Sequence, residues 1–181
     1  YMILYSQPLY DRMARFLTPF ERRQPFRELA NEAPGQHETQ AEVVVLGLGR
    51  YGSRLLGQLH QSGVSAIGVD FDPEAVARLR KRGHSVYFGD AEDPDFVESL
   101  PLKETKIAVV TLPQLEANLA LLHALKMAGF RGRITAAVRD AAHGRALLAA
   151  GVAEIINPFN DAADRAAEQL AQTLRLAGAS P

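Results

Sequence analysis

Residues 42–56 read Glu-Val-Val-Val-Leu-Gly-Leu-Gly-Arg-Tyr-Gly-Ser-Arg-Leu-Leu, and no other stretch limits the possible folds as strongly. Val43, Val44, Val45 and Leu46 have the composition of a strand buried on both faces. Gly47, Gly49 and Gly52 then fall at G-x-G-x-x-G spacing, and an apolar helical pattern starts at once. Strand, glycine turn and helix in that order are the context that gives this spacing meaning. Gly47 permits a tight turn, Gly49 lets a pyrophosphate approach the backbone, and Gly52 lets the helix pack closely on the strand. The helix start then directs unpaired N–H groups and its positive dipole end at the phosphates.

The spacing alone is weak, so the acid that accompanies it matters. The next apolar run, Ser65-Ala66-Ile67-Gly68-Val69, ends at Asp70, close to the ~20-residue offset at which a carboxylate meets an adenosine ribose. Phe71 follows, so the next position offers no arginine for a 2′-phosphate. These residues favour NAD(H) or a simple adenine nucleotide (AMP, ADP or ATP) over NADP(H). Asp72 precedes Pro73 and is expected to cap the next helix instead.

Composition narrows the classes. The chain has 181 residues, room for one domain with a full core and an appendage. Its 20 basic and 21 acidic residues give no basic excess, against a dedicated nucleic-acid binder. The absence of cysteine excludes disulfides, zinc thiolates and cysteine nucleophiles, and is compatible with a reducing compartment. No apolar run approaches the ~20 residues of a membrane span, and no stretch has signal-peptide form. A first residue of tyrosine suggests a piece of a longer protein.

Residues 1–5 are nearly all apolar, and Leu9, Met13, Phe16, Leu17 and Phe20 follow at helical spacing. Arginines outnumber acids through residues 8–28. Two readings stand: an amphipathic segment beside a membrane, or an ordinary helix packed on its own domain. Residues 33–40 are polar, contain Pro-Gly and read as a linker. From residue 41 strand and helix alternate. Strands are expected at 42–47, 64–70, 84–88, 106–111, 133–138 and 153–157. Helices are expected at 51–62, 73–82, 94–99, 114–128, 140–150 and 160–177, with stops at Gly63, Gly83, Gly129 and Gly151. This alternation predicts an α/β fold: a Rossmann-like, doubly wound parallel sheet of six strands in the order 3-2-1-4-5-6. The expected divisions are 1–40 (amphipathic segment and linker), 41–159 (nucleotide-binding domain) and 160–181 (C-terminal helix).

In such a sheet ligands lie outside the carboxyl ends of the strands. The expected nucleotide contacts are Gly47, Leu48, Gly49, Arg50, Tyr51 and Gly52 in the turn, and Asp70 and Phe71 after the second strand. Asp90 and Ala91 follow after the third, Thr111 and Leu112 after the fourth, and Arg139 after the fifth. Asp90 is placed for the adenine end or for a turn. Arg139 is placed for a phosphate or for a neighbouring carboxylate. Helix 114–128 is apolar on more than one face and helix 160–177 follows a completed sheet, so both suggest a homodimer contact. The five histidines fall in separate segments, none pairing at metal-ligand spacing on one helix face, and read as surface or packing residues. No catalytic residue and no metal ligand is expected.

The segments Gly-Leu-Gly-Arg-Tyr-Gly, Gly-Asp-Ala-Glu-Asp-Pro, Asn118, Ala-Val-Arg-Asp-Ala-Ala-His and Leu-Leu-Ala-Ala-Gly-Val-Ala-Glu-Ile-Ile together carry a resemblance. Residues 43–159 resemble the RCK/KTN (TrkA-N) regulatory nucleotide-binding domain of potassium channels and transporters. The opening Tyr-Met-Ile-Leu-Tyr-Ser-Gln-Pro-Leu-Tyr-Asp-Arg is similar to the stretch after the last membrane helix of Kef-type cation/proton antiporters. The resemblance implies a non-enzymatic regulatory module on the cytoplasmic face of the cell membrane. It would be joined to a K+/H+ or Na+/H+ antiporter domain of the same polypeptide, dimeric, with a last helix that crosses to the partner. It matches the family's phosphate-side arginine to Arg50, its ribose acid to Asp70 and its adenine-side acid to Asp90. The competing readings are a soluble Trk/Ktr-type potassium uptake subunit and the cofactor half of an NAD-dependent dehydrogenase. Against the latter, these residues carry one nucleotide-binding unit and no general acid or base at the strand ends.

Overall fold

A computed structural model describes residues 40–177. The amphipathic segment and linker expected within residues 1–39 lie outside the described residues. Six strands are laid down in chain order: β1 (Val43–Leu46), β2 (Ala66–Asp70), β3 (Val86–Phe88), β4 (Ile107–Val110), β5 (Arg133–Ala137) and β6 (Glu154–Ile156). They form one sheet in the order β3-β2-β1-β4-β5-β6, and every pairing is parallel. The topology is the one the strand–helix alternation predicts. The order reverses between β1 and β4, so the connections that leave their carboxyl ends diverge and open a cleft there.

The helices are α1 (Arg50–Gln61), α2 (Pro73–Arg80), α3 (Pro94–Ser99), α4 (Leu115–Met127), α5 (Ala141–Ala149) and α6 (Pro158–Ala177). The β1 side chains divide between two layers because successive residues point to opposite faces. Val43 and Val45 join Leu56 of α1 and Val76 and Leu79 of α2. Val44 and Leu46 join Phe96 and Val97 of α3, Leu121, Leu122 and Leu125 of α4, and Leu147 of α5. Leu46, Leu56, Leu121 and Leu147 are all fully buried, each worth about 1.5–3 kcal/mol of transfer free energy. The helices stop where expected: Gly63, Gly83, Gly129 and Gly151 all have positive φ.

Two helices depart from ordinary expectation in opposite ways. In α4, Ala117, Leu121, Leu122, Ala124 and Leu125 are buried against its own domain, so most of its apolar excess is one broad inward face. Of its apolar residues only Leu119, Ala120 and Met127 remain exposed. In α6, every side chain from residue 159 to 175 is exposed, including Leu170 and Leu174. No described helix is long and apolar enough to cross a membrane.

Candidate nucleotide-binding site

The cleft is built on the turn between β1 and α1. Gly47 has φ +95°, a conformation L side chains rarely adopt, and a Cβ there would stand 2.9 Å from Thr111 Oγ1. At Gly52 a Cβ would lie 1.9 Å from the Gly47 carbonyl oxygen, so only glycine lets α1 seat on the turn. Gly49 differs from both. Its φ is −58° and a Cβ there would meet nothing within 4 Å. The fold therefore requires glycine at 47 and 52, whereas at 49 it leaves open space.

Gly49 is also the N-cap of α1, and no side chain caps that helix. On α2, α3 and α5 the aspartates Asp72, Asp93 and Asp140 accept the first-turn N–H groups. Asn157 does so at the start of α6, accepting from Phe159 N–H and Asn160 N–H. The first-turn donors of α1 are left for another acceptor, at the positive end of the helix dipole. Arg50 is exposed beside them and forms no ion pair among the described residues.

Asp70 closes the turn from the neighbouring strand. One carboxylate oxygen accepts from Leu48 N–H. The other accepts from Asp72 N–H at 2.8 Å. Each oxygen retains acceptor capacity, so Asp70 shapes the glycine turn and can also face a hydroxyl. Thr111 plays a supporting part from β4: its hydroxyl donates to the Gly47 carbonyl at 2.6 Å. The sequence places Thr111 against ligand, and the structure gives its hydroxyl to the turn. Asn118 holds the next loop in a similar way, its Nδ2 donating to the carbonyls of Leu112 at 2.9 Å and Gln114 at 2.7 Å. Nothing in the spacing of Asn118 indicates that role, because its two acceptors are loop carbonyls.

Beside the turn lies a shallow depression, open to solvent and framed by Gly47, Asp70, Phe71, Asp90, Glu92 and Leu112. It is too small to enclose a nucleotide, which would lie across this cleft largely exposed. Asp70, Phe71, Asp90, Ala91 and Leu112 are thus brought together as the sequence implies. Gly89 belongs to the wall as well, and a Cβ there would press on the Phe96 ring. Asp90 shapes its own loop, Oδ1 accepting from Glu92 N–H at 2.9 Å. Glu92 is a wall residue the sequence reading omits; it lies two positions past Asp90 and carries no motif of its own. Three carboxylates and no cation line this pocket, which opposes a phosphate on the ribose.

Two expected residues have neighbours on α6. Arg139 stands over the Phe159 ring at 5.2 Å and forms no ion pair among the described residues. Tyr51 is half-buried, and burial, then the charge of Asp161, raises its pKa above the ordinary tyrosine value. Asp161 belongs to the first turn of α6, so α6 begins within electrostatic reach of the glycine motif.

Comparison with known proteins fits this geometry. The family model of the TrkA-N domain matches residues 43–158. The glutathione-regulated potassium-efflux system protein KefC of Cronobacter sakazakii is 34% identical over 128 residues, which are 71% of this chain and 21% of that protein. The chain thus spans about a fifth of the length of the curated relatives it matches. Among solved structures, the NAD(P)-binding domain of an exopolyphosphatase-related protein from Archaeoglobus fulgidus superposes with a TM-score of 0.65 at 21% identity, covering 73% of this chain and 98% of that one. The Kef CTD of Shewanella denitrificans, in its AMP-bound form, gives 0.59 at 22% identity, covering 72% and 80%. At these identities the superpositions speak for the fold. The family rests on the matched model and the KefC relatives: this chain belongs to the TrkA-N domain family, found in potassium transport systems.

Proposed function

We propose that this chain is the nucleotide-sensing regulatory domain of a Kef-type K+/H+ or Na+/H+ antiporter. It binds an adenine nucleotide (AMP, ADP, ATP or NAD(H)) without consuming it and works as a homodimer on the cytoplasmic face of the membrane. The carrying observation is the start of α1, where the helix lacks a side-chain cap and Gly49 opens onto free space. Phosphates there take the free N–H groups and face Arg50. The ribose faces Asp70, and the base lies toward Phe71, Asp90 and Ala91 in the pocket. The AMP bound by the Shewanella denitrificans Kef CTD supports that class of ligand. Allosteric coupling needs only ~1–3 kcal/mol of differential binding. Tyr51 and Asp161 supply a route from the glycine turn to α6. The exposed length of α6, with Leu119 and Met127 on α4, supports the dimer.

Calorimetry with AMP, ADP, ATP, NADH and NADPH tests the ligand. Binding of the first four and weaker NADPH binding is the expected order; NADPH equal to NADH overturns the ribose assignment. Light scattering at micromolar concentration should give twice the monomer mass, and a monomer throughout would remove the dimer. Regulation is read in vesicles carrying the full-length transporter. Arg50→Ala should alter the nucleotide dependence of ion/proton exchange and leave basal exchange in place. Oxidation of NADH by the domain with a small substrate would refute a purely regulatory role.

A further inference from the structure

A second cluster lies away from the glycine turn, where the last turn of α1 meets the loop between α2 and β3. His60 and His84 approach with their Nδ1 atoms 3.4 Å apart and their ring centroids 5.1 Å apart, the planes inclined at 70°. A direct N–H···N bond of that length, directed along both ring axes, would put the centroids about 5.7 Å apart. Two imidazoles on one tetrahedral zinc, at Zn–N of about 2.0–2.1 Å, have nitrogens about 3.3–3.4 Å and centroids about 5.2 Å apart. Both observed distances fit two imidazoles sharing one tetrahedral ion.

We propose that His60 and His84 form a two-histidine site for Zn²⁺. Both ligands are held by backbone on either side. His84 N–H donates to the Leu79 carbonyl at 3.2 Å, and Gly63 N–H donates to the His60 carbonyl at 3.0 Å. The pair sits at the C-terminal end of α1, where the helix dipole is negative and favours a cation. Arg82, in the exposed turn beside His84, opposes the metal. Among the described residues no third protein ligand joins the pair, so water completes the tetrahedron. The two histidines are 24 positions apart on different elements, which is why no spacing rule reveals them.

The test is zinc titration of the untagged chain by calorimetry at pH 7.5, with His60→Ala and His84→Gln alongside. Glutamine at 84 can still hydrogen-bond His60 but is a poor zinc ligand, and both changes lie at accessible positions, so folding is checked by circular dichroism. The expected result is one saturable equivalent of zinc, weakened about tenfold or more by either change. Zinc should also raise the melting temperature at pH 7.5. Absence of saturable zinc binding overturns the proposal. So does equal binding by both variants, which would place the metal on another histidine.

Discussion

The starts of α1 and α5 both lie at the carboxyl ends of sheet strands, yet they are finished differently. At α5 the Asp140 carboxylate accepts from the N–H groups of Ala142 and His143, so the helix closes on itself. At α1 the N-cap is Gly49, and the nearest carboxylate, Asp70, bonds Leu48 N–H in the turn and not the helix. A helix start that the chain completes is structure. The start of α4, at Gln114, also lacks a side-chain cap, so what sets α1 apart is the open space at Gly49 beside an exposed Arg50. The difference teaches where to separate stability from binding in a single motif.

The separation is sharpest between two glycines three residues apart. Gly52→Ala puts a methyl 1.9 Å from the Gly47 carbonyl, which is backbone and cannot swing away. We expect a loss of about 3 kcal/mol or more in urea unfolding, at the upper end of overpacking costs. An alanine there with unchanged stability would mean that the turn is far softer than its geometry. Gly49→Ala should leave stability within about 0.5 kcal/mol, since neither φ nor space forbids it. The same variant should weaken AMP binding about tenfold or more, because the methyl occupies the face that phosphates approach. If Gly49→Ala unfolds the chain, or binds AMP as before, the two glycines are not distinct in the way proposed.

Asp70 stands between these extremes because it serves both ends. Asp70→Asn keeps one carbonyl oxygen and loses the charge, so one of its two turn bonds weakens. Stability should fall by about 1 kcal/mol and AMP affinity by about tenfold, the range of a hydrogen bond to a charged group. A change in affinity with no change in stability would assign Asp70 to ligand alone.

The sheet, its order and its helix stops were legible because each rests on local chemistry: β-branched runs, glycine spacing, Asp-Pro and Asp-Ala starts. The framework of the candidate site was legible where a residue acts at its own position in a motif, as Gly47 and Gly52 do in the turn and Asp70 and Asp90 do at strand ends. The partners of its side chains were illegible where they lie distant in sequence. Thr111 turns to a carbonyl 64 positions away, and Arg139 to a ring 20 positions on. The apolar residues of α4 pointed to two faces, because counting leucines and alanines does not distinguish two stripes from one broad one.

The smallest effect separates the two helix starts by pH. The Asp140 pKa is lowered by the N–H of Ala142, then by that of His143, with the charges of His143 and Arg145 adding less. A carboxyl whose folded value lies below its unfolded one contributes fully above the ordinary aspartate value of about 3.9. That contribution is lost as pH falls through the lowered value, so α5 should loosen at its first turn only below about pH 4. Amide resonances of Ala142 and His143 should titrate there, while those of residues 50–53, with no carboxylate cap, should not follow the same curve. Adding AMP at neutral pH should do the converse, shifting the first-turn amides of α1 and leaving those of α5 in place. Titration of both helix starts together, or AMP shifts confined to α5, would show that the two ends are finished alike.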